Sequence, residues 1–294
     1  MKYLTLLALL FAAIPTWAQD TSSLNAAATQ PGPLLAQILF PGAAAQGTPQ
    51  TQVGDVPGCQ VLHLTTASGE HVVAMYAAAQ DSDGNSLSDP QNRPTILYFY
   101  GNASSITVSL REFGQFCRTG ANVLMPDYVG YGMSSGKPSE ASLYETADAC
   151  YDELAHKRSV APGKIVAVGW SLGAAVAIDL ASRKPVAALA VFNAFTNTTD
   201  MARLLLPNFP PGAQVVWRFD NLKKIASIKV PTFICNSAQD EIIPPAMSDQ
   251  LAAAAAGPVT RVRVPDADHN GIFQAHPDAV FVPLQTFIAG ATQK

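Results

Sequence analysis

One pentapeptide constrains this chain more than any other feature. Gly169-Trp170-Ser171-Leu172-Gly173 is a Gly-x-Ser-x-Gly sequence set between an apolar run at residues 164–168 and a small-residue run at 174–182. The apolar run predicts a buried strand, and the second run predicts a helix lying close to it. A sharp, strained turn between the two lifts the serine hydroxyl above the edge of a sheet, as in a nucleophile elbow. Side chains at 169 and 173 would collide with the neighbouring strand and helix, so glycine stands at both. Ala174, Ala175 and Ala177 let the helix approach the sheet.

A serine hydroxyl is a poor nucleophile at neutral pH. It needs an imidazole to take its proton, and the imidazole needs an acid to hold its tautomer. Behind an elbow of this kind, acid and histidine follow the serine in that order. Asp240 comes just after the strand candidate 232–236, and His269 just after the last strand candidate, 261–264. Both fall at the carboxyl edge of the sheet, with Ser171. The other histidines do not fit: His63 and His71 lie in an early hairpin, His156 ends a helix, and His276 follows the entry to the terminal helix. Glu241 is the reserve acid, whereas Asp266 and Asp268 suit turn capping. An oxyanion site needs two convergent N–H groups. Leu172, next to the nucleophile, is expected to supply one. The loop Gly101-Asn102-Ala103-Ser104-Ser105 is expected to supply the other, from Asn102 with Ala103 as the alternative.

The surrounding pattern is α/β. Strand candidates fall at 59–65, 71–78, 95–100, 122–126, 164–169, 187–192, 232–236 and 261–264, alternating after the first two with helical patterns such as 143–157. That alternation predicts a mostly parallel sheet of eight strands with helices on both faces. The first two strands form a hairpin through Ala67-Ser68-Gly69. The pattern fails over about 193–230, where Pro207, Pro210, Pro211 and Gly212 accompany Met201, Leu204, Leu205, Leu206, Phe209 and Trp217. A small cap over an acyl pocket is expected there. The Gly-rich segment 127–136 is read as a structural loop bordering the pocket, since it lacks the helix entry of a phosphate-binding fingerprint.

Four segments together carry a family resemblance: Tyr100-Gly101-Asn102-Ala103, Asp127-Tyr128-Val129-Gly130-Tyr131-Gly132-Met133-Ser134, the pentapeptide, and Asp240-Glu241-Ile242-Ile243-Pro244. In these the chain resembles the α/β-hydrolase superfamily, and is most similar to its serine-aminopeptidase-like and acyl-thioesterase-like branch. The resemblance covers about residues 59–290. It implies the α/β-hydrolase fold and the triad Ser171, Asp240 and His269. One departure bears on the oxyanion site: family members commonly carry histidine before the oxyanion glycine, where this chain has Tyr100.

The expected activity is that of a serine hydrolase cleaving carboxylic ester or thioester bonds of a small or lipid-like acyl substrate. A peptidase is the alternative and needs an acid near the pocket, with Glu140, Glu145 and Asp200 as candidates. A non-catalytic binding module is the third reading. Ser171 excludes a dehalogenase, which uses aspartate there, and a dienelactone-type enzyme, which uses cysteine. The expected chemistry requires no cofactor and no metal.

The start of the chain sets an expected address. Lys2, the apolar run 3–14, Pro15 and the small residues before Ala18 read as a secretory signal cleaved near Ala18. Residues 19–56 read as a flexible leader, and 57–294 as the hydrolase domain. The protein is therefore expected to be exported, periplasmic or secreted. Charged residues are only 14% and the net charge is −4, with no Lys/Arg run, which argues against a nucleic-acid partner. Membrane association is expected only through a lipid substrate, and oligomeric state is left open. Cys59, Cys117, Cys150 and Cys235 allow three pairings in an oxidising compartment and lack C-x-x-C spacing.

Overall fold

The computed structural model describes Phe40, residues 58–205, Asn208 and residues 215–293. The expected signal, the leader apart from Phe40, and part of the expected cap lie outside the described residues.

Eight strands form one sheet in the order β1-β2-β4-β3-β5-β6-β7-β8. β1 (Cys59–Thr65) and β2 (His71–Ala77) make the antiparallel hairpin, turning at Gly69 with φ 89°. β2 also runs antiparallel to β4 (Asn122–Pro126). From there β3 (Thr95–Phe99), β5 (Ile165–Trp170), β6 (Ala188–Phe192), β7 (Thr232–Ser237) and β8 (Val259–Val264) continue in parallel. β3, β4, β6 and β7 are buried along their whole length. Burial on both faces explains why they read as unbroken apolar runs rather than alternating ones. The edge strand β8 carries Arg261 and Arg263, charges that discourage edge-to-edge pairing.

Helices cover both faces. α1 (Leu110–Cys117) and the terminal α7 (Pro277–Thr292) share one face, where the Phe116 and Phe281 rings stand 5.4 Å apart. α2 (Glu140–Asp152), α3 (Leu172–Arg183), α5 (Asn221–Ile225) and α6 (Pro245–Ala254) pack successively on the other. The reversal of strand order between β4 and β5 produces these two layers, because right-handed crossovers running in opposite directions place their helices on opposite faces. α2 starts three residues before the expected 143. Its cap is a reciprocal serine pair: Ser139 Oγ accepts from the Ser142 N–H at 3.0 Å, and Ser142 Oγ accepts from the Ser139 N–H at 2.8 Å. Serine in place of the usual Glu or Gln at the third helical position hid that start. The segment between β6 and β7 carries α4 (Thr198–Leu205) and α5, and so retains helix at both ends. All four cysteines are free thiols, Cys117, Cys150 and Cys235 buried. Burial pushes the Cys117 and Cys235 thiols up to about 12.

Candidate active site

Ser171 sits between β5 and α3 with φ 55° and ψ −116°, a left-handed conformation that a non-glycine residue adopts only under constraint. Such strain costs about 1–3 kcal/mol. Each fully buried Val, Leu or Ile contributes about 1.5–3 kcal/mol, and Val166, Val168, Val176 and Ile178 on the flanking elements are fully buried. The packed strand and helix therefore outweigh the strained turn between them. The two glycines are sterically required. A Cβ on Gly169 would lie 2.1 Å from the Gly173 carbonyl oxygen, and one on Gly173 would lie 2.0 Å from that of Phe99.

The loops after β7 and β8 bring Asp240 and His269 to the same edge. His269 Nε2 lies 3.0 Å from Ser171 Oγ, and His269 Nδ1 lies 2.8 Å from Asp240 Oδ2. A carboxylate only accepts, so Nδ1 carries the proton and Nε2 is left to accept from the serine. Asp240 is itself held: Oδ1 accepts from the Ile242 and Ile243 N–H groups at 2.9 and 2.7 Å. Asp240 and His269 are buried. The Trp170 ring stands 5.6 Å from the imidazole. Glu241, the reserve acid, points to solvent, and Asp268 caps its turn by accepting from the Gly271 N–H at 2.6 Å. Among the described residues, no group of three or more His, Cys, Asp or Glu could hold a metal ion.

One positioning group was not foreseen. Asn193, directly after β6 and 1% exposed, donates through Nδ2 to the His269 carbonyl at 3.0 Å and to Ser237 Oγ at 3.1 Å. Its Oδ1 accepts from the Ser237 N–H at 2.8 Å. The residue has φ 45°, a conformation that asparagine tolerates better than most. Its place at the carboxyl edge, after an apolar strand, is the signal that could have marked it.

The loop after β3 is tied to the loop after β4 by a buried carboxylate. Asp127 accepts from the Tyr100 hydroxyl, the Ile106 N–H and the Met133 N–H, each at 2.8 Å. Tyr100, the residue at which the sequence departs from the resemblance, thus sets a hydroxyl anchored beneath the loop. Burial pushes the Asp127 carboxyl above its ordinary range, and the three donors offset part of the rise. Gly132 is required beside it, because a Cβ there would lie 2.1 Å from Asp127 Oδ2. The segment read as a structural loop is therefore also the anchor of the Asn102 loop. Within that loop, Asn102 Oδ1 accepts from the Tyr131 hydroxyl at 2.8 Å and the Ala103 N–H at 2.9 Å. Ala103, the alternative donor, has its N–H engaged there. Leu172 opens α3, where the first N–H groups of a helix have no acceptor within it.

Comparison with known proteins places this architecture. The model of the alpha/beta hydrolase family matches residues 100–223. An uncharacterized protein of Mycobacterium tuberculosis is 34% identical over 177 residues, 60% of this chain and 63% of that protein, so the match spans less than two thirds of the relative. An alpha-beta hydrolase from Vibrio vulnificus superposes with a TM-score of 0.66 at 18% identity, covering 86% of this chain and 94% of that one. An esterase from Pyrococcus furiosus gives 0.64 at 17% identity, covering 79% and 92%. The chain has the α/β-hydrolase fold, and part of it resembles the alpha/beta hydrolase family.

Proposed function

We propose that the protein is a serine hydrolase that cleaves carboxylic ester or thioester bonds through an acyl-enzyme. The observation that carries this reading is the continuous hydrogen-bonded line from Ser171 Oγ through His269 to Asp240, mounted on a strained elbow. Ser171 attacks the carbonyl carbon while His269 Nε2 takes its proton. The N–H groups of Asn102 and Leu172 stabilise the oxyanion. His269 then returns the proton to the departing alcohol or thiol, and Asp240 holds the imidazolium in register. Water attacks the acyl-enzyme by the same route and frees the acid.

The peptidase reading has less support, because its candidate acids are engaged elsewhere. Glu140 accepts from the Tyr144 hydroxyl and the Phe219 N–H, at 2.8 and 3.0 Å, and Glu145 accepts from the Ser68 hydroxyl. Asp200 is held by Asn197 at 2.6 Å and paired with Arg203 at 3.1 Å. Export after cleavage near Ala18 is part of the same proposal, resting on the pattern of residues 1–18.

A fluorophosphonate probe tests the nucleophile. Wild type should label and Ser171→Ala should not. A panel of p-nitrophenyl esters beside aminoacyl anilides tests the substrate class. Absence of labelling in the wild type overturns the enzyme reading, and a preference for anilides overturns the ester one.

A further inference from the structure

The triad occupies the carboxyl edge of the sheet. The opposite edge, where β3, β4 and β5 begin, holds a cavity of about 690 Å³. Its walls come from the loop after β2, from the turns entering β3, β4 and β5, and from the last turns of α7. Lys164 stands one residue before β5 and Ser171 one residue after it. A strand of six residues, about 20 Å long, therefore separates this cavity from the nucleophile.

Three cations line the cavity: Arg93, Arg118 and Lys164. Among the described residues none of the three forms an ion pair. Arg93 donates Nε to the Ser88 carbonyl at 2.9 Å, which leaves both terminal nitrogens unused. Lys164 Nζ donates to the Asn92 carbonyl at 2.6 Å and keeps two further protons. Arg118 makes no side-chain hydrogen bond among the described residues. Its guanidinium lies over the loop after β2, where a Cβ on Gly84 would stand 3.6 Å from Nη2.

One acid, Asp81, lines the same cavity, but its carboxylate is taken up by its own loop. Oδ1 accepts from the Asp83 and Asn85 N–H groups at 3.0 and 2.9 Å, and Oδ2 from the Asn85 amide at 3.2 Å. Asp278 lines an adjoining cavity and forms no ion pair with Arg118 among the described residues. Three cations against one carboxylate leave an excess of positive charge, in a chain whose net charge is −4. Leu87, Pro94 and Ile288 add apolar wall. A cavity of this size takes a small organic molecule rather than a lone inorganic ion.

We propose that this cavity binds a small organic anion, whose phosphate or carboxylate group is held by Arg118 and Arg93 with Lys164 as a further charge. A guanidinium fork matches either group with two parallel hydrogen bonds, and the apolar wall receives the body of the ligand. The proposal is independent of the serine-hydrolase reading.

Calorimetric titration of the full chain with phenyl phosphate, benzoate and inorganic phosphate tests it, with ionic strength held constant by sodium chloride. Wild type should bind one equivalent of phenyl phosphate or benzoate, and the tighter of the two names the anionic group. Inorganic phosphate should bind more weakly than phenyl phosphate. Arg118→Gln and Arg93→Gln should each weaken binding about tenfold or more, as the loss of a charge-assisted pair does. Arg118 is exposed, so its variant should keep the wild-type urea midpoint and any ester hydrolysis. Equal affinity in wild type and Arg118→Gln overturns the proposal, as does the absence of binding by all three probes at millimolar concentration. A lowered urea midpoint in Arg118→Gln, with no binding by the wild type, would assign the cations to the carboxyl end of α7 instead.

Discussion

The carboxamide of Asn193 holds the backbone carbonyl of His269 at 3.0 Å, so the imidazole is oriented from behind by β6 as well as from the side by Asp240. The same carboxamide pairs with Ser237 at the end of β7 through two further hydrogen bonds. Three chain segments are thereby locked at one point of the sheet edge.

Replacing Asn193 with alanine leaves a buried carbonyl and a buried N–H without partners, each a loss of about 1–3 kcal/mol. We expect kcat to fall about tenfold with KM within about twofold, because orientation rather than binding is lost. Steady-state ester kinetics beside urea unfolding check this. An undiminished kcat in a destabilised variant would reduce Asn193 to a purely structural role.

Asp240→Asn should separate tautomer control from packing. The amide oxygen can still accept from Ile242 and Ile243. Its NH2 group would face Nδ1 and force the imidazole proton onto Nε2, towards Ser171. The expected fall in kcat is about 10⁴-fold with little change in thermal midpoint. A fall below about tenfold would remove Asp240 from the proposed mechanism.

Gly101 stands where a Cβ would meet Trp170 Cε3 at 2.7 Å. Gly101→Ala should push the Asn102 loop away from the elbow or tilt the indole that borders His269. Displacement of the order of 1 Å costs about 10²-fold in rate, and overpacking about 1–3 kcal/mol in stability. Esterase kinetics together with tryptophan fluorescence report both. A fully active Gly101→Ala protein would show that the loop tolerates the contact.

Asp127 predicts a pH dependence of stability. Unfolded, its carboxyl titrates near the ordinary 3.8; folded, burial raises it despite three donors. Between those two values the folded state binds more protons, so the contribution of Asp127 is fully present below the unfolded value and is lost as pH rises through the folded one. The stability of wild type minus that of Asp127→Asn should therefore decline with rising pH across this window and level off above it. Urea unfolding of both proteins from about pH 3 to pH 8 measures the difference. A difference that grows with pH would contradict the assigned direction.

Much of this architecture could be read in the chain. The elbow was legible because its two glycines, its apolar strand and its alanine-rich helix are neighbours in sequence, and local sterics alone demand them. The strands were found within one or two residues, since buried parallel strands are unbroken apolar runs. Asp240 and His269 were placed by the order in which strands reach one edge, and the structure brings both into hydrogen-bond contact with the line to Ser171. Other features were not legible. Asn193 looks like any polar residue after a strand, and Asp127 like a loop aspartate; their importance lies in partners remote in the chain. Phe40 ends a short apolar run at residues 34–40, the one such feature in a segment otherwise without charge or clear periodicity, and its partners Trp217, Tyr131 and Phe219 are remote in the chain.

By itself, then, the sequence determined those features whose physical cause is local: a strained serine turn, the alternation of strands and helices, and the chain order of acid and histidine. Only the tertiary structure decided which polar groups meet across the sheet edge and which aromatic ring covers them. Hydrogen bonds and ring contacts between remote segments depend on distances of a few ångströms, which no local pattern records.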